Sequence, residues 1–112
     1  MLQRRLVRQL HSSSFLLKYA DIKLSLFSKD QCGLCDNAKV VMDKVTSLDE
    51  FKKIHYEIVD INKTGNKEWW DKYCFDIPVL HIENKKKQDS LIKVFHRLNE
   101  EDIIDKIKKL ED

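Results

Sequence analysis

The sequence is short of the residues that interrupt regular structure, and it lacks long apolar runs. Its 112 residues include two glycines and one proline, which argues against collagen-like and low-complexity chains and favours regular helices and strands. No apolar run approaches the roughly 20 residues that span a bilayer, so we expect no membrane segment. Small secreted scaffolds usually carry more cysteines than the three found here, and an even number of them. Three cysteines suit a reducing compartment in which thiols react or bind metal.

The chain also lacks a strong overall charge, and the charge that it has is placed unevenly. The net charge is +2, while residues 1–17 carry three arginines and no acid. The rest of the chain is therefore close to neutral and has no general basic field for nucleic acid. A short lysine run at residues 85–87 is better explained as a solvated turn, because no aromatic platform accompanies it. We expect no nucleic-acid partner.

Residues 1–17 (MLQRRLVRQLHSSSFLL) have the composition of a mitochondrial targeting segment. They are rich in arginine and serine and free of acids, and their leucines can share one helical face. The spacing of Arg8, Leu10 and Ser13 resembles a two-step matrix-processing signal that would leave Lys18 as the first mature residue. The prediction is a matrix protein with one domain over residues 18–112. The alternative is a cytoplasmic protein in which these residues are disordered or form a surface helix.

The remaining chain predicts the element order β-α-β-α-β-β-α. Apolar alternation marks four strands and apolar stripes at helical spacing mark the helices. Asn99 precedes three acids, as a capped helix start does. The strands are expected at residues 22–28, 55–61, 79–83 and 91–95. The first helix is expected to begin just after Cys32 and to carry an apolar stripe as far as Leu48, and the others are expected at residues 67–74 and 99–110. The first two strands should pair in parallel across their helix and the last two should form a hairpin. The fold class is therefore α/β.

The informative pattern is a strand followed by C-x-x-C and a helix, with Ile77 and Pro78 opening a later strand. Cys32 would sit just before the helix and Cys35 in its first turn, where backbone N–H groups and the helix dipole stabilise a thiolate. Two intervening residues let the second sulfur reach the first, so a mixed disulfide can be resolved internally. Gly33 would allow close backbone approach.

Residues 27–35 (FSKDQCGLC) are similar to the segment that joins the first strand of glutaredoxins to their first helix. The C-x-Leu-C form, together with Tyr73 and the Ile-Pro-Val sequence at residues 77–79, resembles a poorly characterised family of short glutaredoxin-like proteins. The resemblance covers roughly residues 22–110. It implies a thioredoxin fold, with a four-stranded mixed sheet and helices on both faces.

The same resemblance implies roles for five residues. Cys32 would attack a disulfide and Cys35 would resolve the mixed disulfide. Pro78 would be cis and would face the dithiol. The backbone of Ile77 would pair with a bound thiol-bearing peptide as one short added strand. Lys29 resembles the basic residue that holds a carboxylate of glutathione.

The sequence departs from glutaredoxins where they grip the other end of glutathione. A Gly-Gly turn followed by an acid is replaced by residues 97–102 (RLNEED), which contain no glycine. Leu98 and Asn99 bring side chains and a stiffer backbone to this place. Glutathione is therefore expected to be at most a weak co-substrate, and no cofactor is expected.

The function predicted from the sequence is thiol–disulfide exchange with a thiol- or disulfide-bearing protein or a small thiol, carried out by a monomer. The alternative is a non-catalytic module whose cysteines hold an iron–sulfur cluster, another metal or a partner protein. Structural zinc needs four ligands, and beyond the C-x-x-C pair only Cys74 and scattered histidines remain, so no metal ligands are assigned. Cys74 is expected to be a small core residue. The histidines of this part of the chain are isolated in sequence and receive no catalytic role.

Overall fold

The computed structural model describes residues 18–112, and its elements follow the predicted order. The predicted targeting segment, residues 1–17, lies outside the described residues, so the boundary at residue 18 stays a prediction. A short 3-10 turn, Asp49–Phe51, precedes the second strand. The strands are β1 (Ile22–Ser28), β2 (His55–Asp60), β3 (Val79–Asn84) and β4 (Ile92–Phe95), and the helices are α1 (Gly33–Thr46), α2 (Lys67–Tyr73) and α3 (Glu100–Glu111).

The strands form one mixed sheet in the order β2-β1-β3-β4. The central strand β1 runs parallel to β2 and antiparallel to β3, and β3 and β4 form the antiparallel hairpin. The parallel pair is the expected result of a helical crossover between two consecutive strands. The predicted four-stranded mixed sheet is therefore confirmed.

Alternation along the central strands divides the apolar residues between the two faces of the sheet. One face carries the larger core, in which residues of β1 and β3 such as Leu24 and Leu80 pack with Met42 of α1 and Ile103 of α3. The other face lies under α2 and has a smaller cluster around Phe27. The predicted helices on both faces are confirmed. The smaller cluster consists of Phe27, Cys35, Ile61, Tyr73, Ile77 and Val79, with Cys32, Val59, Trp69, Trp70 and Cys74 packed against it.

The last helix begins where the sequence predicts. The Asn99 side chain caps α3 and accepts a hydrogen bond from the Asp102 N–H at 3.0 Å. Side-chain capping of this kind satisfies one of the free N–H groups at a helix start. Across residues 18–112, none of the helices is both long enough and apolar enough to cross a membrane.

Candidate dithiol site

The two cysteines of the C-x-x-C sequence occupy different environments at the start of α1. Cys32 is the N-cap residue, and its sulfur accepts a hydrogen bond from the Cys35 N–H at 3.2 Å. Cys32 is half-buried, whereas Cys35 is fully buried. The predicted placement, with Cys32 just before the helix and Cys35 in its first turn, is confirmed. An amide N–H is thus directed at the sulfur on which a thiolate charge would lie.

The buried thiol is held in its protonated form at neutral pH. Burial raises the pKa of Cys35 to about 11, and its hydrogen bond to Cys32 acts in the same direction. A charged thiolate loses its hydration when it is buried, so the neutral form is favoured. The pair therefore combines an accessible sulfur at the helix start with a second sulfur that is protonated and shielded until it is needed.

The Ile77–Pro78 segment lies against the same apolar cluster as the dithiol. The peptide bond between these residues is cis, and Ile77 is buried in the cluster that includes Cys35. The Ile77 N–H donates to the carbonyl of Tyr73 at 3.1 Å, and the Pro78 carbonyl accepts from the His96 N–H at 2.8 Å. Among the contacts of residues 18–112 the Ile77 carbonyl has no backbone partner, so it is the backbone group of this residue that could pair with an added chain.

Lys29 lies at the end of β1, beside an aromatic ring of α2. Its ammonium nitrogen is 5.5 Å from the centre of the Trp70 ring, within the range of a cation–π contact. Trp69 and Trp70 are both half-buried, and both pack against the Phe27 cluster.

Two expectations for small residues of the site are corrected. A Cβ atom at Gly33 would meet no atom within 4 Å, so close backbone approach does not explain this glycine. Cys74 is half-buried instead of lying in the core, because it is the C-cap residue of α2 and sits at the edge of the Phe27 cluster.

A groove of about 290 Å³ lies next to the dithiol, between the start of α1 and the segment after β4. His96 adopts a left-handed backbone conformation there, with a φ of 67°. The segment that replaces the glycine turn of glutaredoxins therefore forms one wall of this groove, and it carries large side chains. The groove is lined by Leu34, Asn37, Ala38, His96, Arg97 and Leu98.

Sequence reasoning missed His81, which is not isolated in the fold. Its Nε2 atom lies 2.6 Å from the Tyr73 hydroxyl, in a buried contact. The signal for this contact was in the β3 sequence, where His81 alternates with the core residues Leu80 and Ile82 and must face the opposite side of the sheet. That side is covered by α2, so the histidine is buried and paired.

No set of three or more His, Cys, Asp or Glu side chains is arranged to hold a metal ion within residues 18–112. The cysteines of the C-x-x-C pair and Cys74 are all free thiols.

Comparisons with known proteins agree with this architecture. A profile of the glutaredoxin-like domain (DUF836) matches residues 23–108. A glutaredoxin-like protein of Dictyostelium discoideum is 29% identical over 90 residues, which are 80% of this chain and 78% of that protein.

Solved structures of thioredoxins share the fold. Chloroplastic thioredoxin z superposes with a TM-score of 0.68 at 12% identity, covering 92% of this chain and 88% of that one. Oxidised thioredoxin O2 of Arabidopsis thaliana gives a TM-score of 0.63 at 15% identity, covering 92% and 89%. The predicted thioredoxin-like fold is therefore confirmed. With the profile spanning most of the chain, this protein belongs to the glutaredoxin-like domain family (DUF836).

Proposed function

We propose that the protein is a thiol–disulfide oxidoreductase in which Cys32 attacks and Cys35 resolves. The observation that carries this proposal is the asymmetry of the pair. Cys32 is half-buried at the N-cap of α1, and Cys35 is fully buried with a pKa raised to about 11. An accessible sulfur at a helix start is suited to nucleophilic attack. Cys35, which is shielded and protonated, does not compete with Cys32 for the substrate disulfide.

The reaction proceeds in two exchanges. The Cys32 thiolate attacks one sulfur of a substrate disulfide, the substrate S–S bond breaks, and the first substrate thiolate leaves and takes up a proton. Cys35 then loses its proton and attacks the Cys32 sulfur, which releases the second substrate thiol. Two electrons pass from the protein dithiol to the substrate, and the protein is left with a Cys32–Cys35 disulfide. Two equivalents of an external thiol reverse the same steps, restoring the dithiol and becoming one disulfide.

The substrate would dock beside Ile77. In this arrangement its backbone N–H donates to the Ile77 carbonyl, since the Ile77 N–H is engaged with Tyr73. Pro78 follows Ile77 in the same segment, and Lys29 offers a positive charge beside Trp70, which packs against the Phe27 cluster. We favour a protein or peptide partner over glutathione, because the groove wall at residues 96–98 carries large side chains in place of open backbone.

The first test is substitution of the resolving residue. Cys35→Ser should accumulate mixed disulfides between Cys32 and partner proteins, which non-reducing electrophoresis and mass spectrometry would identify. Cys74→Ser is the matched control, because it removes a half-buried thiol outside the pair and should trap nothing. Adducts that persist in a Cys32→Ser/Cys35→Ser double variant would contradict the assigned nucleophile.

The second test is whether Cys32 and Cys35 form a disulfide with each other on oxidation. Mild oxidation with diamide should yield a Cys32–Cys35 bond in peptide maps. A map in which Cys74 bridges either residue would refute the dithiol mechanism. A protein that is coloured as purified, and loses its colour on Cys32→Ser, would instead support a cluster-binding role.

The proposed location is the mitochondrial matrix, on the composition of residues 1–17. The endogenous protein should then begin near Lys18 and fractionate with mitochondria. A cytosolic protein that retains Met1 would contradict this.

A further inference from the structure

A buried polar pair joins α2 to β3, and its tyrosine belongs to the apolar cluster that contains Cys35. The Tyr73 hydroxyl and the His81 Nε2 atom are 2.6 Å apart, and the two residues are 2% and 9% exposed. Aromatic rings surround the contact, with the centre of the Phe27 ring 4.6 Å and that of Trp69 6.0 Å from the His81 ring. Burial of two polar groups among such rings is favourable only when they bond to one another.

The backbone of Tyr73 holds the segment against which a substrate would dock. Its carbonyl accepts hydrogen bonds from the N–H groups of Asp76 at 2.9 Å and of Ile77 at 3.1 Å. Tyr73 is also the last residue of α2. Tyr73 is therefore attached to β3 through its hydroxyl, and through its carbonyl to Asp76 and Ile77, beside which a substrate would dock.

The hydroxyl contact matters because α2 has little stability of its own. The helix has seven residues, and helices this short are marginal without tertiary contacts. The position of the C-terminal end of α2 therefore depends on the contact between the Tyr73 side chain and His81. Loss of the His81 contact would let that end move relative to Cys32, together with Ile77, whose N–H is bonded to the Tyr73 carbonyl.

We propose that Tyr73 and His81 are positioning residues that fix the docking segment at residues 74–77 relative to the dithiol. This inference rests on the proposed function. Neither side chain takes part in the exchange itself. Their hydrogen bond sets how well a disulfide-bearing peptide is held, and it leaves the chemistry at Cys32 unchanged.

Amide hydrogen exchange tests the positioning without using activity. In Tyr73→Phe, exchange at the Asp76 and Ile77 amides should accelerate about fivefold, as expected for loss of one buried hydrogen bond. The Lys85 amide, which donates to the Asp21 carbonyl at 2.9 Å, reports on the sheet elsewhere and should keep its rate. Equal acceleration at all three amides would show general destabilisation and would overturn the proposal.

Single-turnover kinetics test the functional consequence. The probe is a short cysteine peptide in mixed disulfide linkage with 2-nitro-5-thiobenzoate, and release of the coloured thiol is followed against probe concentration. In Tyr73→Phe, the half-saturating concentration should rise about fivefold while the limiting rate stays within about twofold. An unchanged half-saturating concentration would overturn the proposal, whatever the exchange rates show.

The chain offers a matched control and a rescue. Tyr56 has a buried hydroxyl without a hydrogen-bond partner in residues 18–112, and it packs on the other face of the sheet. Tyr56→Phe should therefore leave both measurements unchanged. His81→Leu should reproduce the effects of Tyr73→Phe, whereas His81→Gln, which keeps a hydrogen-bonding group, should restore part of the wild-type behaviour. Identical behaviour of these two His81 variants would count against the proposal.

The proposed function and the positioning role can be refuted separately. A wild-type protein that leaves the probe intact would refute the proposed function and the positioning role with it. A reactive wild type with an unaltered Tyr73→Phe would refute the positioning role alone.

Discussion

The difference between the two thiols of the dithiol predicts a large difference in alkylation rate. The pKa of Cys35 is raised to about 11 from an ordinary value of about 9. At pH 7.5 about one Cys35 in 3,000 is then a thiolate, against about one in 30 for an ordinary thiol of the same kind. Burial of the sulfur slows the reagent further.

The assay is limiting iodoacetamide on the fully reduced protein, with adducts located by mass. Cys32 should be labelled first, ahead of Cys35 and the half-buried Cys74. Cys35 should react at least about 100-fold more slowly than in the same protein unfolded in guanidinium chloride, where burial is absent. Its rate should also rise about tenfold for each pH unit until the pH approaches 11. Preferential labelling of Cys35 or Cys74 in the folded protein would refute the reasoning.

Three further outcomes are expected. Burial, reinforced by the charges of Lys93 and Lys72, lowers the pKa of His81 to about 4. The wild type should therefore lose up to about 3 kcal/mol of unfolding free energy as the pH falls from about 6.5 to about 4. Urea titrations at about pH 6.5 and at about pH 4 should show that His81→Gln lacks this loss of unfolding free energy. Equal losses in the two proteins would contradict the lowered pKa of His81. Asn99→Ala should reduce the unfolding free energy by about 1 kcal/mol, and Asn99→Asp should restore most of it. In a glutathione-coupled disulfide assay the protein should be far less active than a dithiol glutaredoxin measured beside it, and comparable activity would show that residues 97–102 provide a substitute site.

The elements of the fold were predictable because each has a local signal. Alternation fixed the bounds of β1, and Asn99 followed by acids marked the start of α3. The placement of Cys32 at a helix start was predictable for the same reason, since it depends on residues that are adjacent in the chain. The Cys35 thiol has no local signal for its burial beyond its position in the first turn.

The contacts between distant elements were not predictable from spacing. His81 and Tyr73 meet because β3 pairs with β1 and α2 packs over that face, and neither the register nor the packing is encoded near either residue. The engagement of the Ile77 N–H likewise depends on how the chain turns after α2. These two contacts follow from the assembled fold, and the positioning role inferred for Tyr73 and His81 depends on them.

The position of β1 has a consequence for the order in which the protein folds. This strand is near the start of the described chain, yet it lies in the middle of the sheet and pairs with both β2 and β3. A chain that becomes available from its N-terminal end, at the ribosome or on import into an organelle, can form the β1–α1–β2 unit early, but the other edge of β1 stays open until β3 is available. Pairing over such sequence separations is slow. Cys32 and Cys35 are therefore present well before the residues of α2 and the Ile77 segment that pack against them, and folding intermediates with an uncovered β1 edge should be the species most prone to aggregate.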